Sequence, residues 1–480
     1  MCTVQSCTDD MKPVSLRSFI RIWKKALPLI VIQMPRSDLC LTCQQNTLKL
    51  SVLANMDDSI KAERIKQSLE HLNLVQQERL CYTDTIKKCR DVLNSHPTKN
   101  LTGNVVGSFS ASSHISFDFA QQVHIPNLPD QPGPIYFLTP YKIGIFGIQN
   151  EAVGVQINYI IPESVVTGKG ANSVISMVHH YLQNYTLGET VLYIHADNCV
   201  GQNKNNIVMQ YLCWRILAGL NRVIKIMFLP VGHTKFSPDA GFGIIKSKFR
   251  RSQVCTISEM CDCVVASTPT TKMNRAQLVG GDENIDVPTF DWQTKFKDMN
   301  FKGIPSIKQQ HHFSFSSTTP GSVVCKMELT AAEVTYKLIN DIPNNETLQM
   351  LPQVVKPAGL SPERQWYLYE MIRPLVPEYA RDMLCPKPSC NRVTFAQARA
   401  ETSRATAVSS TITMKQTKKK PVKQVQESTD SETESEHSVR LPSPKRKQQT
   451  CSYCHEIGHT NRVLRGKFSC PKRFADNEDE

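Results

Sequence analysis

Two aspartates lie at positions where a carboxylate could hold a divalent cation. Asp197 follows the apolar run at residues 191–196, and Asp239 opens a predicted helix soon after a second apolar run at residues 223–231. Apolar runs bounded by polar residues are typical of buried strands, and open α/β sheets carry their chemistry at the carboxyl ends of strands. The alternative is that both aspartates only form a turn or cap a helix, as aspartate often does.

His233 precedes Asp239 at the same predicted sheet edge. We predict that it orients a phosphate, transfers a proton or assists a metal; the alternative is a turn histidine bonded to the backbone. Mg²⁺ prefers oxygen ligands, and two such ions roughly 4 Å apart can activate the attacking oxygen and stabilise the leaving oxygen of a phosphodiester. Nearby basic residues suit a nucleic-acid backbone or a solvated helix face. They are Lys204, Lys235, Lys246, Lys248, Arg250 and Arg251.

Cysteine pairs near both ends of the chain have the spacing of zinc ligands. Cys40 and Cys43 need further ligands, for which His71, Cys81 and Cys89 on a long polar helix are candidates; free thiols at a turn are the alternative. Near the other end, a Cys-x2-Cys-x4-His segment followed by a later cysteine predicts a variant zinc knuckle, whose basic surroundings favour single-stranded nucleic acid or a DNA backbone. Its predicted ligands are Cys451, Cys454, His459 and Cys470.

The composition favours an intracellular protein with a polyanionic partner; the alternative for the charge is a basic surface that only keeps the protein soluble. The chain has 480 residues and a formal net charge of +13, which suits a polyanion. Its 17 cysteines are too unevenly spaced for the disulfide framework of a secreted protein. We see no signal peptide, and no run approaches the roughly 20 apolar residues of a membrane span. Basic clusters at residues 418–420 and 445–447 predict nuclear import, with an ordinary charged linker as the alternative.

Composition and periodicity divide the chain into segments of different character. Residues 101–112 are rich in small polar residues and read as a connector, whereas residues 395–450 lack the large apolar side chains of a core and are predicted to be disordered. The predicted divisions are a helical, zinc-binding N-terminal module at 1–100, an α/β core at 113–265, an α+β extension at 266–394, a disordered linker at 395–450 and the zinc knuckle at 451–474.

Within the core, the predicted order is three strands, a helix, a strand, a helix, a strand and a helix. The first strand alternates, with Ile115, Phe117 and Phe119 on one face and Ser116 and Asp118 on the other. Strand-like residues follow at 135–138, 142–149 and 154–161, and a helix at 171–185.

This element order resembles that of the ribonuclease-H-like fold of many transposases and integrases. The resemblance implies a mixed sheet flanked by helices. It also implies three acids: one within the first strand, one at the end of the neighbouring fourth strand, and one on the helix after the fifth. In this sequence those positions are Asp118, Asp197 and Asp239. Many transposases have glutamate at the third position, and aspartate is also an oxygen ligand.

Four segments resemble uncharacterised transposon-related proteins of animals, over roughly residues 16–380. These segments are SFDFAQQVHIP, IYFLTPYKIGIFGI, HADNCVGQNKNN and GHTKFSPDAGFGIIKSKFRR. The resemblance implies cleavage or strand transfer of DNA at transposon ends with Mg²⁺ or Mn²⁺ at the three aspartates, by a nuclear protein that could act as a homodimer. The alternatives are a domesticated, inactive protein that binds DNA or chromatin, and a metal-dependent nuclease that acts on RNA.

Overall fold

The computed structural model of this chain describes residues 14–27, 39–53, 56–96, 100–268, 273–280, 287–392, 463–464 and 467–468. The chain forms two compact units, Met1–Arg404 and Ala405–Glu480. The predicted linker, both basic clusters and the predicted knuckle ligands Cys451, Cys454, His459 and Cys470 lie outside the described residues. Among the described helices, none combines the length and the apolar character that a membrane span requires.

Helices and strands alternate through the middle of the first unit. The helices are α1 (Leu16–Ala26), α2 (Leu41–Ser51), α3 (Asp58–Asn94), α4 (Ala171–Asn184), α5 (Asn206–Leu217), α6 (Ser237–Phe249), α7 (Ile257–Val265), α8 (Trp292–Asp298), α9 (Asn345–Gln349), α10 (Pro362–Tyr367) and α11 (Arg381–Leu384). The strands are β1 (Phe109–Phe119), β2 (Val123–Ile125), β3 (Tyr141–Asn150), β4 (Val155–Pro162), β5 (Glu189–Ala196), β6 (Val223–Phe228), β7 (Asn274–Leu278), β8 (His312–Ser316), β9 (Ser322–Lys326) and β10 (Val334–Lys337). In the second unit, β11 (Val463–Leu464) pairs with β12 (Lys467–Phe468).

The strands of the first unit form one ten-stranded mixed sheet, in the order β10-β9-β8-β6-β5-β1-β3-β4-β7, with β2 paired to β3 beside this path. β1 is parallel to β5, and β5 to β6, whereas the pairs β1–β3 and β3–β4 are antiparallel. Strands from later in the chain extend both edges, with β7 beside β4 and β8 beside β6. The predicted α/β class, a mixed sheet flanked by helices, is confirmed.

In the middle of β1 both faces are buried, although only one is apolar. Ile115 and Phe117 belong to the main apolar core, together with residues of α4 and α5. The alternation of a strand turns His114 and Ser116 to the other face. There both are 0 % exposed, and the ring of Tyr82 from α3 packs with its centroid 5.5 Å from that of His114. The predicted alternation is therefore present, but its polar side faces a helix instead of solvent.

Helix α3 packs on the sheet through buried polar side chains. The Glu78 Oε1 atom lies 2.9 Å from His312 Nε2, and both side chains are largely buried. Tyr82 donates a hydrogen bond of 2.7 Å from its hydroxyl to Glu151 Oε1. Because buried polar groups are costly unless they are bonded, these pairs fix where α3 lies along the sheet. The N-terminal helices and the sheet accordingly belong to one compact unit.

Three local predictions are wrong. Residues 135–138 are not a strand, because Gly133–Phe137 forms a short 3₁₀ helix after Pro132; prolines there fix φ and remove backbone donors. The connector at 101–112 ends early, since β1 begins at Phe109, which pairs with Glu189. The apolar run at 223–231 leaves the strand after Phe228, and its last residues belong to the loop before α6.

Trp292 is the centre of an aromatic cluster and is 0 % exposed. Its ring centroid lies 5.2 Å from that of Trp214 and 5.0 Å from that of Tyr211, and its Nε1 donates to Ser176 Oγ over 3.1 Å. We expect Trp292→Ala to lower the free energy of unfolding by about 3–5 kcal/mol in a denaturant titration. Phe137→Ala is the control, because Phe137 is 85 % exposed and its loss should cost less than about 0.5 kcal/mol. Equal stability of the two variants would contradict this.

Candidate functional site

Asp118 and Asp197 lie at the carboxyl ends of two adjacent parallel strands. The register of β1 and β5 pairs Ser116 with His195, so two further residues along each strand reach Asp118 and Asp197. Asp118 is the penultimate residue of β1, and Asp197 follows the last residue of β5. Because adjacent strands are about 4.8 Å apart, the two carboxylates can share a cation.

Asp239 reaches the same place from the next part of the chain. After β6, a loop leads into α6, whose first turn contains Asp239. Asp118, Asp197 and Asp239 together line an open cleft of about 550 Å³. The structure therefore brings the three predicted acids to one edge of the sheet.

Each aspartate uses one carboxylate oxygen to fix its local backbone. Asp118 Oδ1 accepts from the Phe119 N–H over 2.7 Å, and Asp239 Oδ2 accepts from the Phe236 N–H over 3.1 Å in a capping arrangement. Asp197 Oδ1 accepts from the Cys199 N–H over 3.1 Å and from the Asn203 amide.

The turn and cap roles are thus present for Asp197 and Asp239, but they occupy only one oxygen of each carboxylate. Within the described part of the chain, the second oxygen of Asp118, Asp197 and Asp239 accepts no hydrogen bond. Those three oxygens are available to a ligand in the cleft.

The negative charges of Asp197 and Asp239 disfavour the ionised form of Asp118. The pKa of Asp118 is raised from its ordinary value of 3.8 to about 7, first by burial and then by the charges of Asp197 and Asp239, and the bond from the Phe119 N–H opposes this rise. None of the ion pairs formed by the described residues includes any of these aspartates. A bound cation would supply the missing positive charge.

His233 lies in a second group of potential ligands instead of among the aspartates. Its Nε2 is 3.4 Å from Cys43 Sγ, and His71 Nε2 is 3.4 Å from Cys40 Sγ. The four ligand atoms all lie within 4.8 Å of one another, and we call Cys40, Cys43, His71 and His233 the Cys₂His₂ cluster. The backbone neighbours of His233 line the aspartate cleft, but the lining does not include His233 itself. Its assignment as a catalytic residue stays a prediction, and its Nε2 lies where it could bind a metal together with the other three side chains.

The other two candidates for the Cys40 site lie elsewhere. Cys81 borders a separate cavity between α3 and the sheet, and Cys89 is buried with its Sγ 3.6 Å from Ser112 Oγ. His71 is therefore the one member of the three candidates that joins the cluster.

The basic residues near the cleft divide into buried and exposed ones. Lys204 is only 2 % exposed, its Nζ donates to Asn198 Oδ1 over 3.1 Å, and burial lowers its pKa to about 8. The prediction that it adds to a basic surface is wrong. Lys235 is exposed and lines the cleft. Further basic side chains border a shallow depression near the end of α6: Lys246, Arg250 and Arg251.

Glu151, which the sequence did not single out, connects the elements behind the cleft. Glu151 is 3 % exposed, and its carboxylate accepts hydrogen bonds from Tyr82 of α3, Ser116 of β1 and Ser237 of α6. Burial raises the pKa of Glu151, and the three bonds oppose that rise. Ser116 and Ser237 each lie two residues before a cleft aspartate. Their bonds to Glu151 therefore hold together the two segments that carry Asp118 and Asp239. A glutamate directly after the last residue of a mostly apolar strand, β3, is the sequence signal that could have found it.

Comparison with known protein families gives a match to the middle of the chain. The family model described as a domain of unknown function (DUF7869) matches residues 142–333. The matched segment runs from β3 to the residue before β10 and includes Asp197, His233 and Asp239, whereas Asp118 precedes it. No curated protein and no solved structure matches the chain.

Proposed function

We propose that this chain is a transposase-like protein that cleaves or joins DNA strands with Mg²⁺ or Mn²⁺ held by Asp118, Asp197 and Asp239. The observation that carries the proposal is the convergence of these acids in one open cleft. They come from two adjacent strand ends and one helix start, far apart in sequence. The cap roles of Asp197 and Asp239 do not account for Asp118, whose burial near two like charges is unfavourable unless a cation compensates it.

The strand order supports a ribonuclease-H-like core for this activity. The central strands β4-β3-β1-β5-β6 contain an antiparallel meander followed by two parallel strands. In the resemblance described above, the acids belong to the first strand, the end of the strand beside it, and a later helix. Asp118, Asp197 and Asp239 occupy those elements here.

The donor set fits a hard divalent cation. All three side chains are carboxylates, each with one oxygen that the described residues leave without a hydrogen bond. When bound, Mg²⁺ or Mn²⁺ would polarise the phosphodiester and lower the pKa of the attacking water or hydroxyl. The protein's contribution is to hold the acids in place: Phe119, Cys199 and Phe236 backbone groups orient the carboxylates.

A DNA backbone is the partner that the surface near the cleft suits best. Lys235 lies in the cleft wall, and Lys246, Arg250 and Arg251 continue the positive charge along α6. Basic side chains that contact phosphates give salt-dependent affinity without sequence preference. The proposal also includes recognition of transposon ends, a zinc knuckle that binds single strands, nuclear localisation and action as a homodimer.

The test is divalent-metal-dependent cleavage by the purified full chain. The substrate is a labelled DNA duplex that carries the repeats flanking the gene, with an RNA duplex of the same sequence in parallel. We expect nicked or joined DNA with Mg²⁺ or Mn²⁺ and none with EDTA. A folded protein that binds DNA but cleaves neither duplex would favour the inactive DNA- or chromatin-binding alternative, and cleavage of the RNA alone would favour the RNA nuclease.

A further inference from the structure

We propose that Cys40, Cys43, His71 and His233 bind one Zn²⁺ that fastens the N-terminal helices to the wall of the aspartate cleft. The ligands come from the start of α2, from α3 and from the loop between β6 and α6. The zinc would therefore connect segments that are 31 and 190 residues apart in sequence. This inference goes beyond the cleavage activity and does not depend on it.

The distances fit tetrahedral zinc. Zn–S bonds of about 2.3 Å and Zn–N bonds of about 2.0–2.1 Å at tetrahedral angles separate sulfur from nitrogen by about 3.6 Å. In the structure, the sulfur–nitrogen distance is 3.4 Å both for Cys40 with His71 and for Cys43 with His233. Two separate S–H···N hydrogen bonds would explain the two distances. They would not explain why all four ligand atoms lie within 4.8 Å of one another.

The chain is shaped locally to let the loop approach Cys40. Gly232 has a φ of +79°, and a Cβ at this position would lie 2.4 Å from Cys40 Cα, closer than any side chain allows. Only glycine adopts this φ without strain and also leaves room for the Cys40 backbone. His233 follows directly, so the close approach delivers its imidazole to the cluster.

Arg79 of α3 also binds the backbone of this loop. Its guanidinium donates to the carbonyl oxygens of His233 over 2.8 Å and Lys235 over 2.6 Å. The rings of His71 and His233 lie with centroids 5.4 Å apart. The two Arg79 bonds therefore hold the backbone that carries His233 beside α3.

The zinc would fix one wall of the cleft. The cleft is lined by residues that precede and follow His233 in the sequence, namely Val231, Gly232, Thr234 and Lys235. Leu39, which precedes Cys40, also lines it. The same loop leads directly into α6 and Asp239. Loss of the metal should therefore free the loop at residues 229–236 while leaving the strands of the sheet in place.

The first measurement is zinc content of the full chain by mass spectrometry. Cys454→Ser removes a predicted ligand of the C-terminal knuckle, so the zinc that this variant retains reports on the Cys₂His₂ cluster. We expect one zinc ion per chain in Cys454→Ser, and its loss when Cys43→Ser or His233→Ala is added. Cys81→Ser is the matched control, because Cys81 lies on α3 outside the cluster, and it should lose none.

Retention of zinc after His233→Ala, or absence of zinc from folded Cys454→Ser protein, would overturn the proposal. If the ligand variants do not fold, Co²⁺ added to metal-free Cys454→Ser protein decides the matter, because two thiolates on tetrahedral Co²⁺ give intense absorption bands. Their absence counts against the site. Hydrogen exchange supplies the structural readout: a chelator should accelerate exchange at residues 229–236 but not in β3. Unchanged exchange in that loop after zinc removal would overturn the fastening role.

Discussion

Asp197→Asn should lower the rate of metal-dependent DNA cleavage by at least about 1,000-fold. Metal ions contribute several kcal/mol of transition-state stabilisation, and each ~1.4 kcal/mol corresponds to a factor of ten in rate. Asparagine keeps an oxygen that can accept from the Cys199 N–H, so the turn after β5 should persist. Only the charge and one cation ligand are lost. The measurement is the cleavage rate at saturating Mg²⁺, together with thermal unfolding to show that the variant is folded.

The matched control for this substitution is Asp262→Asn. Asp262 is exposed on α7 and does not line the cleft, so the variant carries the same chemical change and the same change in net charge. We expect it to cleave like the wild type. Equal cleavage by Asp197→Asn and the wild type would assign the activity to another site or to a contaminant, and the three-aspartate proposal would fall.

The central strands could be predicted because their signals are local. β5 is a short apolar run ended by Asp197, β6 is the first part of a second apolar run, and Ile115 and Phe117 of β1 alternate with polar residues. What covers the polar face of β1 could not be predicted in this way. His114 and Ser116 are buried because α3 lies over them and Tyr82 and Glu151 bond there. That arrangement depends on contacts between distant segments, which periodicity does not encode.

The site shows the same division between local and distant signals. Asp197 and Asp239 stand at the ends of elements that the sequence marks clearly, and the resemblance adds Asp118. The Cys-x2-Cys pair at Cys40 is also a local signal. The sequence places His233 with the acids because it is near Asp239 along the chain, whereas its side chain lies beside Cys43, 190 residues earlier.

Without metal, Asp118→Asn should make the protein more stable than the wild type at pH 8. The folded-state pKa of Asp118 is raised from 3.8 to about 7 by burial first and then by Asp197 and Asp239. Between these values the folded state binds more protons than the unfolded state, so this group makes stability fall as pH rises through about 4 to 7. Asparagine carries no charge and removes that fall. We expect its melting temperature in EDTA to exceed that of the wild type by a few degrees at pH 8, with little difference at pH 4.

Mg²⁺ should reverse this order, since a bound cation favours the ionised form of Asp118 and stabilises the folded wild type. Below pH 7 a proton competes with the metal, so the apparent affinity for Mg²⁺ should weaken by up to about tenfold for each pH unit lost. Melting curves from pH 4 to 8, with EDTA or Mg²⁺, measure both effects. Asp262→Asn should follow the wild type throughout. Parallel pH profiles for Asp118→Asn and the wild type, with equal responses to Mg²⁺, would show that Asp118 neither titrates near neutrality nor binds the cation.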